Sequence, residues 1–342
     1  MMTSTVAAKV TGIAATVAIL AGCSSGSQST LNPSTSAAQS GAHVASVPKS
    51  GAVTEIVPHQ QRAQGRSWMT PDKKKKKEIL YISDYSAGVL YAYSYPKLKQ
   101  IGMITGLSGP DGVCSDKKGD IWVANNLAAD VVEYQHGGTS PKATLSDPNV
   151  YPVGCSVDPM TGNLAVTNIF TTSDAQGSVA VYAGAAGTPT LYQDSNLYNV
   201  YFCGYDNSGN LFVDGRDSLG TFHLAELKKG GSSLTDITLS GGTIYFPGNI
   251  RWDGTYVAVG DQLYGNTAAS AIYQTTGAGG TIVGTTPLTG AVDVVGFSIQ
   301  KGTAIGPDAT AADVGFYKYP AGGSPTNTLT GFTAPYGSAV SK

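Results

Sequence analysis

A segment recurs along the chain at an almost constant interval, and that period constrains the fold more than any other feature. The stretches KKGDIWVAN (from Lys117), MTGNLAVTN (from Met160), NSGNLFVDG (from Asn207), WDGTYVAVGD (from Trp252) and QKGTAIGPD (from Gln300) align. Their glycines, Gly119, Gly162, Gly209, Gly254 and Gly302, are 43, 47, 45 and 48 residues apart. A sixth copy, KKEILYISD at Lys76 to Asp84, lies one period earlier, with a charged residue where the turn glycine would be. A unit this short cannot bury its own apolar face. It must stack on its neighbours.

Each unit has the same internal order. A short strand ends in Asp and a turn (VCSDKKG, CSVDPMTG, CGYDNSG), and an apolar strand such as IWVAN follows. After a loop comes a strand ending near Tyr, as in DVVEYQHGG and SVAVYAGAAG, and then a Thr- and Leu-rich strand such as KATLSD. A connector of Pro-x-Gly type leads onward at Pro110-Asp111-Gly112, Pro152-Val153-Gly154 and Pro335-Tyr336-Gly337, with a variant at Pro247-Gly248-Asn249. Four short strands per 40–50 residues is the arithmetic of a propeller blade. Composition agrees: 44 glycines and only 13% charged residues suit many short strands joined by tight turns. No stretch holds helical periodicity over three turns.

The fold expected is therefore all-β, a six-bladed propeller with four-stranded antiparallel blades over residues 67–342. The first copy starts at the second strand of its blade, and the chain overruns at its end into YGSAVSK (Tyr336 to Lys342), which matches DGVCSDK. The C-terminal strand is thus expected to complete blade one and close the ring, removing exposed sheet edges. GPDGVCSDKKGDIWVAN and YPVGCSVDPMTGNLAVTN together make the chain resemble the six-bladed propellers of the NHL/YncE/gluconolactonase-like superfamily. RSWMTPDKK and GYDNSGNLFVDG also resemble a group of bacterial lipoproteins of this type that carries no assigned reaction. The gluconolactonase resemblance implies a divalent metal held by Glu, Asn and Asp. Asn and Asp candidates exist here, but no glutamate stands in a matching first-strand position.

Because strand direction alternates, the connectors into each first strand share one face, the top, with the loops between second and third strands. The second strands end there in Asp84, Asn125, Asn168, Asp261 and Asp308, with Asp214 out of step, and Asp111 joins them from a connector. This ring of Asp84, Asp111, Asn125, Asn168, Asp261 and Asp308 is the candidate ligand site. Its oxygen groups suit Ca²⁺, Mg²⁺ or the hydroxyls of a polar ligand. The competing role is turn capping, which repetition in every blade favours. NIFTTSDAQGS (Asn168 to Ser178) and GDQLYGNTAAS (Gly260 to Ser270) are the longest top loops expected. On the lower face Asp116, Asp158 and Asp206 lack an EF-hand's bidentate Glu and read as turn formers.

Of the four histidines, His43 and His59 precede the domain, His136 sits in a lower-face turn and His223 in a third strand, so no Ser–His–Asp set can form on the top. Cys114, Cys155 and Cys203 fall in innermost strands and are expected to pack as small hydrophobes, with a Cys155–Cys203 bridge the alternative outside the cytoplasm.

The N-terminus supplies an address. Lys9 precedes the apolar run Val10 to Leu20, which leads to Leu20-Ala21-Gly22-Cys23. The run is short for a membrane span, and the four residues resemble the bacterial lipobox, with Cys23 the lipidated residue. Residues 1–22 are then a signal peptide and 23–66 a Ser-, Ala- and Gly-rich tether. Lys73 to Lys77 read as a solvated entry to the first strand. The expected protein is a lipid-anchored extracytoplasmic binding or scaffold module, monomeric, with a protein, polymer or small ligand, carbohydrate included, on its top face. A metal-dependent hydrolase or lactonase is the alternative. A net charge of −2 and the lack of a basic stripe speak against nucleic acid.

Overall fold

Among the described residues, twenty-five short strands arrange into six sheets around an axis, and the sequence period sets the arrangement. The structure, a computed structural model, describes residues 65–70, 77–147 and 150–342. The signal peptide, nearly all of the tether, Cys23 and Lys73 to Lys76 lie outside the described residues.

Each sheet is antiparallel, and in blades two to six the strands run outward from the axis in chain order. Blade two consists of Pro110–Ser115, Ile121–Asn125, Asp130–Tyr134 and Pro141–Ser146. Blade three begins with Val150–Val157 and Leu164–Thr171, blade four with Asn199–Tyr205 and Leu211–Arg216, blade five with Pro247–Trp252 and Val257–Asp261, and blade six with Ser298–Gln300 and Thr303–Asp308. The final strand, Pro335–Ser341, pairs with Ile79–Asp84 as the innermost strand of blade one, with Ile79 opposite Ser341 and Leu80 opposite Val340. The ring closes as the overrun of the repeat predicts. Blade one also carries a fifth, outermost strand, Trp68–Met69, paired with Lys99–Thr105. Two residues without a repeated counterpart give no periodic signal, so the sequence does not reveal that strand.

Second strands sit in the middle of the molecule and are apolar on both faces: Ile121, Trp122, Val123 and Ala124 are all buried. The apolar clusters they form lie between blades. One joins Tyr81 and Leu90 of blade one to Val113 and Val123 of blade two, and another joins Trp122 to Leu164 and Tyr182 of blade three. The hairpin turns below them use glycine in the left-handed region at Gly119, Gly162 and Gly209. Asp116 accepts the N–H of Lys118 and Asp120, Asp158 that of Met160, and Asp206 those of Ser208 and Asn210. These three are turn formers, as expected. Among the described residues no helix is long and apolar enough to cross a membrane.

The Pro-x-Gly segments are not loops. Pro110, Pro247 and Pro335 each open an inner strand, and the two residues that follow bulge against a single partner. In blade two, Pro110 pairs with Asn125 and Val113 with Val123, so Asp111 and Gly112 face Ala124 alone. The bulge brings neighbouring inner strands into contact near the axis. A Cβ on Gly112 would lie 2.3 Å from the Val153 carbonyl oxygen.

Convergence of the inner strands also corrects the cysteine expectation. Cys114 and Cys155 form a disulfide, with Cα atoms 5.8 Å apart, and Cys203 is the free, buried thiol among the described residues. The reason is alternation. Cys155 and Cys203 stand three residues before their turn Asp, so both face the preceding blade, and each Sγ approaches a carbonyl there, Trp122 and Ala165 respectively. Cys114 stands two before its Asp and faces forward. Among the described cysteines, only Cys114 and Cys155 look at each other.

Candidate functional site

The predicted ring of carboxylates and amides lies beneath the top surface, and four of its members are turned toward backbone N–H groups. Asp84 is fully buried and accepts from Thr333 at 2.7 Å, Ala334 at 3.0 Å and Ala87 at 3.1 Å. Asp308 accepts from Val292 at 2.6 Å, Ala311 at 2.8 Å, Thr310 at 3.1 Å and Asp293 at 3.2 Å. Asp261 takes Leu263 at 3.0 Å and Phe246 at 3.1 Å. The Asn125 side chain accepts from Ser108 and donates to Asp130. Four of these residues therefore tie the connector entering a blade to the end of that blade's second strand, a capping geometry repeated around the axis.

The remaining members differ. Asn168 is not at a strand end. Its strand runs on to Thr171, and the hairpin closes with Gln176–Tyr182, so the first of the two expected loops is mostly sheet. Burial of Ile169 and Phe170 carries the strand past the expected stop. Asn168 donates to Ser178 at 3.4 Å. Asp214, one residue out of step, accepts the N–H of Phe202, which lies in the blade-four bulge. Burial pushes its carboxyl well above the usual carboxylate range, and burial raises Asp261 as well. Asp111 is buried in the blade-two bulge near Tyr85 and Tyr336. Burial drives both phenols well above their ordinary value, and the Asp111 charge adds to it.

Above the capping groups the blade ends are packed with aromatic rings, unevenly so, with Phe170, Tyr201 and Phe246 buried and Tyr151 and Tyr264 half-buried. The connectors and strand ends of blades three to five carry Tyr151 against Phe170, with ring centroids 5.2 Å apart, and Tyr201 against Phe246 at 5.4 Å. The Arg216 guanidinium lies 4.8 Å from the Phe246 ring centroid, in cation–π contact. Tyr264 and Leu263 pack on the same cluster, half-buried. Two side chains beside it reach solvent, Leu219 at 91% and Tyr245 at 41% exposed. Toward blade one the face continues as Tyr85 stacked on Tyr336 at 4.8 Å. The capping carboxylates position these rings, because Asp261 holds the N–H of Phe246 and Asp84 the two residues before Pro335-Tyr336. Sequence reading found the caps and missed the rings they carry; the tyrosines and phenylalanines stand at different places in each unit, so the period does not expose them.

Two further groups escaped the sequence. Ser83 and Thr167, each one residue before a capping position, bridge blades. Thr167 Oγ1 donates to the Tyr201 carbonyl of blade four at 2.6 Å and accepts the Gly154 N–H of its own blade at 2.9 Å. Ser83 Oγ likewise donates to the Asp111 carbonyl and accepts from the Gly337 N–H. Arg251 of blade five reaches across the central channel. Its Nη2 donates to the Val113 carbonyl of blade two at 2.9 Å, its Nε to Phe297 at 3.2 Å and its Nη1 to Cys155 of blade three at 3.4 Å. Burial lowers its pKa to about 10, which leaves it charged at neutral pH.

Of the two described histidines, His223 stands near the top after all, at the start of a third strand and beside the top loop that carries Asp217 and Leu219, but no serine or cysteine nucleophile is bonded to it among the described residues. His136 bonds Ser341 on the lower side, and His223 lies 3.5 Å from Asp217 at the blade-four edge. One carboxylate trio, Asp116, Asp120 and Glu133, is close enough to share a cation, but Lys142 bonds Asp120 and Glu133 at 2.6 Å each.

Comparison with known proteins reaches the fold. Residues 198–304, from blade four to the start of blade six, match the family DUF6454, described as a family of unknown function. A search of curated proteins finds no match. A chain in the crystal structure of a nidogen/laminin complex aligns over 78% of this chain and 98% of its own, with TM-score 0.62 and 13% identity. A protein of unknown function from Bacteroides caccae aligns over 78% of this chain and 100% of its own, with TM-score 0.57 and 13% identity.

Proposed function

We propose that this chain is a lipid-anchored, extracytoplasmic binding module that holds a protein or carbohydrate ligand on its top face, over blades three to five. The propeller fold is compatible with a binding or scaffold role. The observation that carries the reading is the exposure of Leu219 and Tyr245, with Tyr151 and Tyr264 half-buried, at blade ends whose aromatic cluster of Phe170, Tyr201 and Phe246 is buried. A purely structural repeat would spread such residues evenly. Clustered aromatic and exposed apolar side chains mark surfaces that bind partners.

Two features support the location. The lipobox-like Leu20-Ala21-Gly22-Cys23 would place Cys23 at the membrane, and the Cys114–Cys155 disulfide suits an oxidising compartment. Membership of the NHL/YncE-type propellers is part of the same proposal, resting on the Pro-x-Gly and Asp-x-x-Gly pattern.

The test compares the full chain with Tyr245→Ala, Leu219→Ser and Tyr264→Ala variants. Binding is read by cross-linking in the host envelope and on an array of purified cell-wall and capsular glycans. Loss of one captured ligand in all three variants, with unchanged thermal melting, supports the top-face reading. Unchanged capture sinks it. Metal analysis of the same preparation addresses the lactonase-type alternative: stoichiometric Ca²⁺ or Mg²⁺, lost together with lactone hydrolysis on Asp84→Ala or Asn168→Ala, would replace the binding module by an enzyme.

A further inference from the structure

The lower mouth of the channel contains a second, unrelated feature. A cavity of about 270 Å³ opens below Arg251. Its walls come from the inner strands of all six blades and from the turns below them, and they include Ser115, Ser156, Tyr205, Trp252, Ile299 and Val340. Arg251 is the only charged residue among the described residues that line it. No carboxylate lies within 4.0 Å of the guanidinium among the described residues.

The donors of Arg251 are only partly used. A guanidinium has five N–H groups. The Nε and one Nη2 group reach Phe297 and Val113, and Nη1 reaches Cys155 and Ile250 at 3.4 and 3.5 Å. One Nη2–H has no acceptor among the described residues. Carbonyl dipoles hold the group in place, but they carry no net charge to balance it. A cation half-withdrawn from water is costly unless it is paired, and a planar guanidinium suits a carboxylate or a phosphate; the apolar walls of Trp252, Ile299 and Val340 favour a carboxylate carried on an apolar body.

We propose that this cavity binds a small carboxylic acid with a short apolar body, its carboxylate on Arg251 and its body against Trp252, Ile299 and Val340. The site is independent of the aromatic upper face. Its ligand enters from the opposite end of the channel.

Benzoate and its neutral isostere benzamide test the charge requirement, each titrated into the full chain by calorimetry and thermal melting at fixed ionic strength. Benzoate should bind and raise the melting midpoint in proportion to its concentration, and benzamide should do neither. Arg251→Gln should weaken benzoate binding roughly tenfold or more, the loss of one charged hydrogen bond. Because Arg251 also ties inner strands together, Ser115→Leu provides a second variant: it fills the cavity, leaves the guanidinium in place and should abolish the benzoate response. Equal responses to benzoate and benzamide would overturn the proposal. So would benzoate binding unchanged in Arg251→Gln or in Ser115→Leu.

Discussion

A single position of sequence offset decides the covalent chemistry of this protein. Cys114 stands two residues before its turn Asp while Cys155 and Cys203 stand three before theirs, and in a strand that difference reverses the side chain. Ser156, at the same offset as Cys114, also faces forward and accepts the Tyr205 N–H of blade four. The spacing was visible in the sequence, but its meaning needed the turn Asp as a common origin for counting. Alkylation of the denatured, unreduced domain should therefore modify Cys203 and leave Cys114 and Cys155 unmodified until reductant is added, as read by mass spectrometry. Replacing both bridged cysteines by serine should cost about 4 kcal/mol, the loop entropy of a 41-residue separation. Asp214 offers a pH test. Its folded pKa is raised by burial, so the folded state keeps a proton that the unfolded chain releases. Its contribution is therefore full below the unfolded carboxylate pKa and is lost as pH rises toward the folded value. Asp214→Asn, which keeps an oxygen for the Phe202 N–H, should be at least as stable as wild type at pH 7 and should lose less stability between pH 4 and pH 7 in urea titrations.

At the scale of the strand, the repeated device is a bulge held by a hydroxyl. In blades one and three the residue one back from the second strand's Asp84 or Asn168 is a hydroxyl, Ser83 or Thr167, which accepts an N–H from its own bulged inner strand and donates to the neighbouring blade. Thr167→Val removes that bridge with almost no change of volume. It leaves the Gly154 N–H and the Tyr201 carbonyl buried without their partner, and each such group costs about 1–3 kcal/mol. A loss of roughly 3 kcal/mol in denaturant midpoints is expected, well above a surface Thr→Val change. A variant within 0.5 kcal/mol of wild type would remove this account of blade cohesion. The strands themselves were legible because their apolar runs and turn glycines recur. The bulge was read as a loop because Pro and Gly carry the same local signal in both settings. The aromatic face and Arg251 were illegible for the opposite reason: each occurs once, and a period reports what repeats. A binding surface on a repeat fold is therefore expected where the units diverge.

Six sheets close into a ring only when each has its inner strand, and in blade one that strand is seven residues from the far end of the chain. Pro335–Ser341 pairs along Ile79–Asp84, buries Ser338, Ala339 and Ser341, and places Gly337 against Asp111 of blade two and Gly296 of blade six. Its removal would leave blade one without an inner strand and expose the backbone groups of Ile79–Asp84 on the channel wall. It would also take away the Gly337 N–H that Ser83 now accepts. These losses fall on the contacts of blades one, two and six at once, so they do not scale with strand length. A chain ending at Ala334 should lose its cooperative thermal transition and its near-ultraviolet circular dichroism, and should aggregate through the opened edge. A synthetic peptide of residues 335–342, added in excess, should restore part of the transition by supplying the missing strand. A truncated chain that melts cooperatively within a few degrees of the full protein would mean that the blades cohere without closure, and the ring would then be a consequence of packing instead of its condition.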